Sequence, residues 1–116
     1  MPVTIYHNPR CSKSRQTLDL LTQKGIQPDV IKYLEDTPNI ETLKTIYQQL
    51  GLTSVRDMMR TKEDTYKELN LANESLSDDA LFTAMQQNPK LIERPIVIAN
   101  NKARLGRPPE QVLEIL

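Results

Sequence analysis

The opening third of the chain constrains the fold most. Val3-Thr4-Ile5-Tyr6 is a β-branched and aromatic run closed by His7-Asn8-Pro9, which reads as a strand entering a loop. From Ser12 the spacing turns helical, with Ser14, Thr17, Leu18 and Leu21 on one face and Gly25 as a stop. Asp29–Leu34 is a second strand candidate. Strand, helix, strand in that order predicts a parallel pair joined by a right-handed crossover.

The middle of the chain is helical. Leu43, Ile46, Tyr47 and Leu50 form a stripe, with Asn39 placed to cap it and Gly51 to end it. Short helical pieces are predicted at Ser54–Arg60 and Asp64–Asn70. Another helix opens at Ser77, with Asp78 and Asp79 at its positive end and Leu81, Ala84 and Met85 on its apolar face. After Pro89 the pattern returns to strand at Pro95–Ala99, then Asn100-Asn101 signals a turn and Lys102–Leu105 an antiparallel return. Pro108 and Pro109 suit the first turn of a last helix that would bury Val112, Leu113 and Leu116.

The expected fold is therefore α/β: β-α-β, a helical insertion over about residues 39–90, then β-β-α, with a mixed four-stranded sheet flanked by helices. At 116 residues one domain, 1–116, accounts for the length. A cysteine after the first strand and a proline opening the third make this a thioredoxin-like layout.

Charge and cysteine usage narrow the function. Lys plus Arg and Asp plus Glu number 15 each, which argues against a general nucleic-acid binder. The Met1–Tyr6 stretch lacks the pattern of a secretory signal, and no run approaches the ~18 apolar residues of a membrane span. One cysteine cannot form an internal disulfide or a cysteine-based zinc site. A cytoplasmic address, where a lone thiol stays reduced, is expected.

Cys11 sits where the first strand gives way to the first helix, facing unpaired N–H groups and the positive helix end. Arg10, Lys13 and Arg15 are close in sequence, and His7 precedes it by four positions. All favour the thiolate. A free thiol of pKa about 8.5 is only about 3% ionised at neutral pH, and a fall of about two units raises that to about three-quarters. Lone cysteines are commonly inert and buried, but this one lies in a polar, basic turn.

Ser14 stands where a Cys-x-x-Cys pair would have its second thiol. It can offer the thiolate a hydrogen bond but cannot resolve a mixed disulfide, so an external thiol must do so. His7 reads either as an incidental turn residue or as electrostatic and hydrogen-bonding support for the thiolate. With Cys11 it supplies too few ligands for a metal, and none is expected. Most arginines are solvated, but Arg94 precedes the proline that approaches the cysteine in such folds, and the Arg94–Pro95 bond is a cis candidate.

Thr4-Ile5-Tyr6-His7-Asn8-Pro9-Arg10-Cys11 with Ser14-Arg15 resembles the signature of the glutaredoxin-coupled arsenate reductases, the ArsC family. The likeness continues through Tyr33-Leu34-Glu35, Val55–Arg60, Arg94-Pro95-Ile96-Val97 and Arg104-Leu105-Gly106-Arg107-Pro108. The resemblance implies that Cys11 attacks arsenate to form a covalent adduct and that His7 keeps the thiol ionised. It also implies that Arg60, Arg94 and Arg107 hold the oxyanion. Arg15, beside the thiol, joins the candidate substrate-binding set. Glutathione would attack the adduct as reducing co-substrate and glutaredoxin would complete reduction to arsenite, with no tightly bound cofactor, nucleic-acid partner or membrane. Planar, permanently charged guanidinium forks suit a tetrahedral dianion.

Two other readings compete. A monothiol glutaredoxin-like oxidoreductase would handle glutathione mixed disulfides without needing the arginine triad. A regulatory module of the same fold would leave the thiol unactivated, although regulators of this frame typically carry the second cysteine that Ser14 replaces.

Overall fold

The computed structural model describes residues 2–116; Met1, the first residue of the expected domain, lies outside the described residues. Strands β1 (Val3–Tyr6), β2 (Asp29–Ile31), β3 (Ile96–Ala99) and β4 (Lys102–Leu105) form one sheet in the order β2-β1-β3-β4. β1 pairs parallel with β2 and antiparallel with β3, which pairs antiparallel with β4. The sheet is mixed and four-stranded, as the element order predicts.

Helix α1 (Ser12–Gln23) connects β1 to β2. Gly25 adopts φ 77° and stops it. The Gly25 N–H donates to the Thr22 carbonyl at 2.9 Å and the Ile26 N–H to the Leu21 carbonyl at 3.0 Å. This is the paired-bond closure that a left-handed residue permits. The insertion comprises α2 (Ile40–Leu50), α3 (Asp64–Glu68) and α4 (Asp78–Gln87), with 3-10 turns at Val55–Met58 and Pro89–Leu91. Asn39 Oδ1 caps α2 by accepting the Thr42 N–H at 2.8 Å, and Ser77 Oγ caps α4 by accepting the Ala80 N–H at 3.2 Å.

Period-two alternation divides the core between the two sheet faces. Val3, Ile5, Val97 and Ala99 face α1 and the C-terminal segment, packing with Leu21, Val112 and Ile115. Tyr6 and Ile96 face the insertion, packing with Leu43, Ile46, Met58, Leu81, Met85 and Leu91. The β3–β4 turn has Asn100 and Asn101 at φ 55° and 61°, values that suit asparagine and match the twist of the flanking strands.

Two expectations need correction. β2 ends at Ile31, not Leu34, because the chain turns at Lys32, whose carbonyl accepts from Glu35 and Asp36 N–H. Val30 and Leu34 are exposed while Tyr33 is buried inward. The last helix (Pro109–Ile115) is 3-10, and it buries Val112 and Ile115 while Leu116 remains 42% exposed. Three residues per turn aligns positions i and i+3, so Ile115 takes the place that α-helical spacing assigned to Leu116.

Gly106 marks a close approach that positions the site. A Cβ there would lie 2.5 Å from Thr17 Oγ1 and 2.6 Å from Pro95 Cγ, and its N–H donates to the Pro95 carbonyl at 3.0 Å. Thr17 is fully buried, so neither neighbour has room to retreat. Gly106→Ala is expected to cost about 1–3 kcal/mol through overpacking, read as a lowered urea midpoint. An unchanged midpoint would show that this approach is not tight.

Candidate active site

Cys11 is the N-cap of α1, with extended backbone at φ −97° and ψ 124°. The thiol side chain makes no close capping hydrogen bond. The N–H groups of Ser14 and Lys13 nevertheless face the sulfur and favour its charged form. Burial alone would raise the Cys11 pKa. The Ser14 N–H, the Arg94 guanidinium and the Lys13 N–H outweigh it, and the thiol is held below its ordinary value. The cysteine is half-buried, so the sulfur is both stabilised and reachable.

His7 and Ser14 support the site in a way the sequence did not show. His7 Nδ1 lies 2.6 Å from Ser14 Oγ, which also accepts the Asn8 N–H at 3.0 Å. Ser14 therefore commits its hydroxyl to the loop, and it is its backbone N–H that faces the sulfur. Burial, with Lys32 and Arg15 nearby, lowers the His7 pKa and favours the neutral ring. A neutral ring accepting the Ser14 proton at Nδ1 fits both contacts. The hydroxyl ties the loop to the helix. Ser14→Ala should leave His7 and the Asn8 N–H without that partner, at about 1–3 kcal/mol. A thermal melt checks this, and an unchanged Tm would contradict the role.

Two short backbone ladders gather arginines that are far apart in sequence. Met59 and Ile92 form an antiparallel bridge; the Arg60 N–H donates to the Leu91 carbonyl at 2.7 Å and the Glu93 N–H to the Met58 carbonyl at 2.8 Å. Arg60 is thereby set beside Glu93 and Arg94. The Gly106–Pro95 bond then draws Arg107 to the same place. Both Arg94–Pro95 and Arg107–Pro108 are cis; the sequence singled out only the first.

Arg60, Arg94 and Arg107 line one cavity of about 290 Å³, together with Lys62, Glu63 and Glu93. Arg94 is its link to the cysteine. Its side chain is 14% exposed, its charge is near enough to Cys11 to favour the thiolate, and its Nε is buried with no partner. A buried orphan N–H is costly, and a bound oxyanion would satisfy it. Arg15 is not among the lining residues: its Nη1 donates to the Pro9 carbonyl at 2.9 Å, a loop-holding contact.

Three neighbours escaped sequence reading. Tyr33 is buried, and burial pushes its phenol up to about 12 against the opposing pull of Arg94 and Arg60. Cys11 adds to the rise, and an Asn8 side-chain hydrogen bond opposes it. Its position in a strand-like run was visible, but not its direction. Glu63 and Glu93 pair with the arginines, at 3.0 Å from Arg60 and 3.3 Å from Arg107. In sequence they look like ordinary solvated charges.

A thioredoxin-like fold with its one thiol on the N-cap residue of the first helix, and a guanidinium nearby instead of a second thiol, defines a class of one-thiol proteins. Comparison with known proteins narrows that class. A profile of the ArsC family matches residues 6–115. The chain is 56% identical to an arsenate reductase of Haemophilus influenzae, over 100% of both chains. It is 62% identical to the uncharacterized protein YfgD of Escherichia coli, covering 98% of this chain and 96% of that one. The solved structure of an arsenate reductase from Vibrio cholerae superposes with a TM-score of 0.99 at 69% identity, covering 100% of this chain and 98% of that one. The chain belongs to the ArsC family.

Proposed function

We propose that the protein is an arsenate reductase in which the Cys11 thiolate attacks the arsenic of arsenate. One observation carries the reading: the Arg94 guanidinium favours the Cys11 thiolate, lines the arginine cavity and keeps an unpartnered Nε for an incoming oxygen. Arsenate reductases at 56% and 69% identity support the choice of oxyanion.

In the proposed reaction the sulfur forms a bond to arsenic and an oxygen leaves as water, giving a covalent thiol–arsenate adduct. Arg60, Arg94 and Arg107 hold the remaining oxygens and offset the repulsion between two anions. Reduction to arsenite takes two electrons, supplied by two thiols as they join in a disulfide. The chain has one cysteine, so it cannot close that disulfide internally. Glutathione attacking the adduct, with glutaredoxin completing the reduction, meets the requirement in the reducing cytoplasm.

The test is arsenate-dependent NADPH oxidation coupled through glutathione reductase, glutathione and glutaredoxin. Consumption that needs arsenate, glutathione and glutaredoxin together is expected. No arsenate-dependent consumption with any thiol donor would overturn the reading, whereas thioredoxin replacing glutaredoxin would correct only the donor.

A further inference from the structure

One Glu93 carboxylate oxygen lies between two arginines of the cavity. Oε1 is 3.3 Å from Arg107 Nη1, 3.6 Å from Arg94 Nη1, and accepts the Arg94 backbone N–H at 3.3 Å. The side chain is 21% exposed, and the Glu93 N–H is bonded to the Met58 carbonyl, so the carboxylate is anchored at the cavity wall. Across the cavity Glu63 pairs with Arg60 at 3.0 Å. Two carboxylates thus offset part of the charge of the three guanidinium groups and Lys62 before any ligand arrives. The site is not a simple cationic bowl.

A carboxylate fixed in an oxyanion site accepts hydrogen bonds and offers none. A ligand oxygen without a proton would meet it lone pair to lone pair. A ligand hydroxyl could donate to it while the ionised oxygens of the same ligand turn to the guanidinium forks and the orphan Arg94 Nε.

We propose that Glu93 makes this cavity selective for tetrahedral oxyanions that still carry a hydroxyl proton, the chemistry shared by arsenate and phosphate, over fully ionised ones such as sulfate. The inference rests on the oxyanion reading of the same cavity and adds its specificity determinant. Sites built to hydrogen-bond a ligand hydroxyl discriminate strongly against analogues lacking it. Partial exposure moderates the effect here, to about tenfold to a hundredfold in affinity.

The probes are inorganic phosphate and sulfate, tested as protectants of Cys11 against iodoacetamide at neutral pH and matched ionic strength, on the full chain and its Glu93→Gln variant. Phosphate should protect the unmodified chain at concentrations at least about tenfold lower than sulfate. In Glu93→Gln, whose amide can donate, sulfate should gain until the preference largely disappears. Equal protection by both anions in the unmodified chain, or an unchanged preference in the variant, overturns the role of Glu93 and leaves the oxyanion site standing. Protection by neither overturns both. Equal protection in the unmodified chain overturns the proposal even if the variant folds poorly, and binding alone is read, independently of arsenate turnover.

Discussion

Replacing Cys11 by serine is expected to eliminate arsenite formation, a fall of at least about a thousandfold, because under the proposed mechanism the attacking atom itself is removed. Cys11 occupies an N-cap with extended backbone, a position that serine fills better than almost any residue. The variant should therefore keep α1 and melt no lower than the parent, so lost activity cannot be assigned to lost structure. A serine hydroxyl stays neutral where the thiol ionises, and His7 is committed to Ser14. Arsenite formation and a thermal melt on the same preparation check both halves. A Cys11→Ser protein that retains turnover would remove the sulfur from the reaction.

Arg94→Gln carries the second large effect. This side chain favours the thiolate and also lines the cavity, so under the proposed mechanism its loss would remove an activating charge and an oxyanion ligand together. Loss of one preorganised donor of this kind costs about 10²–10³ in rate, and kcat/KM should fall by at least that much. Arg94→Lys should not restore it, since an ammonium is a point charge without the planar fork. Arg15→Gln is the contrast: its guanidinium holds the Pro9 carbonyl and should matter little to kcat/KM. Steady-state kinetics of the three variants decide this, and an Arg94→Gln enzyme within threefold of the parent would contradict the arrangement.

The parts of the fold governed by neighbours along the chain were legible in the sequence. Gly25 and Gly51 end helices with positive φ, Asn39 and Ser77 cap them, and Asn100-Asn101 make the β3–β4 turn. The position of Cys11 at the head of α1 was legible for the same reason. Features depending on contacts across the fold were not. Nothing in the run through Met59 and Arg60 announces that it will bridge Ile92, yet that bridge brings Arg60 to Arg94. Ser14 and His7 were each singled out for the thiol, but their contact with one another follows from how α1 returns over the β1 loop. Glu93 beside Arg94 in sequence reads as an ordinary surface pair. Only the approach of Arg107 shows that a carboxylate stands inside the arginine-lined cavity. The C-terminal helix was misread at Leu116 because its period is three, a difference that a seven-residue segment hardly reveals.

The account turns on the ionisation of one sulfur, and a chain with a single cysteine allows that to be measured without ambiguity. The rate of Cys11 alkylation by iodoacetamide, followed across pH, reports the thiolate directly. The rate should rise to its plateau below the ordinary pKa of a free cysteine, and Arg94→Gln should move that rise to higher pH. A titration at or above the ordinary value, where burial alone would place it, would contradict the account.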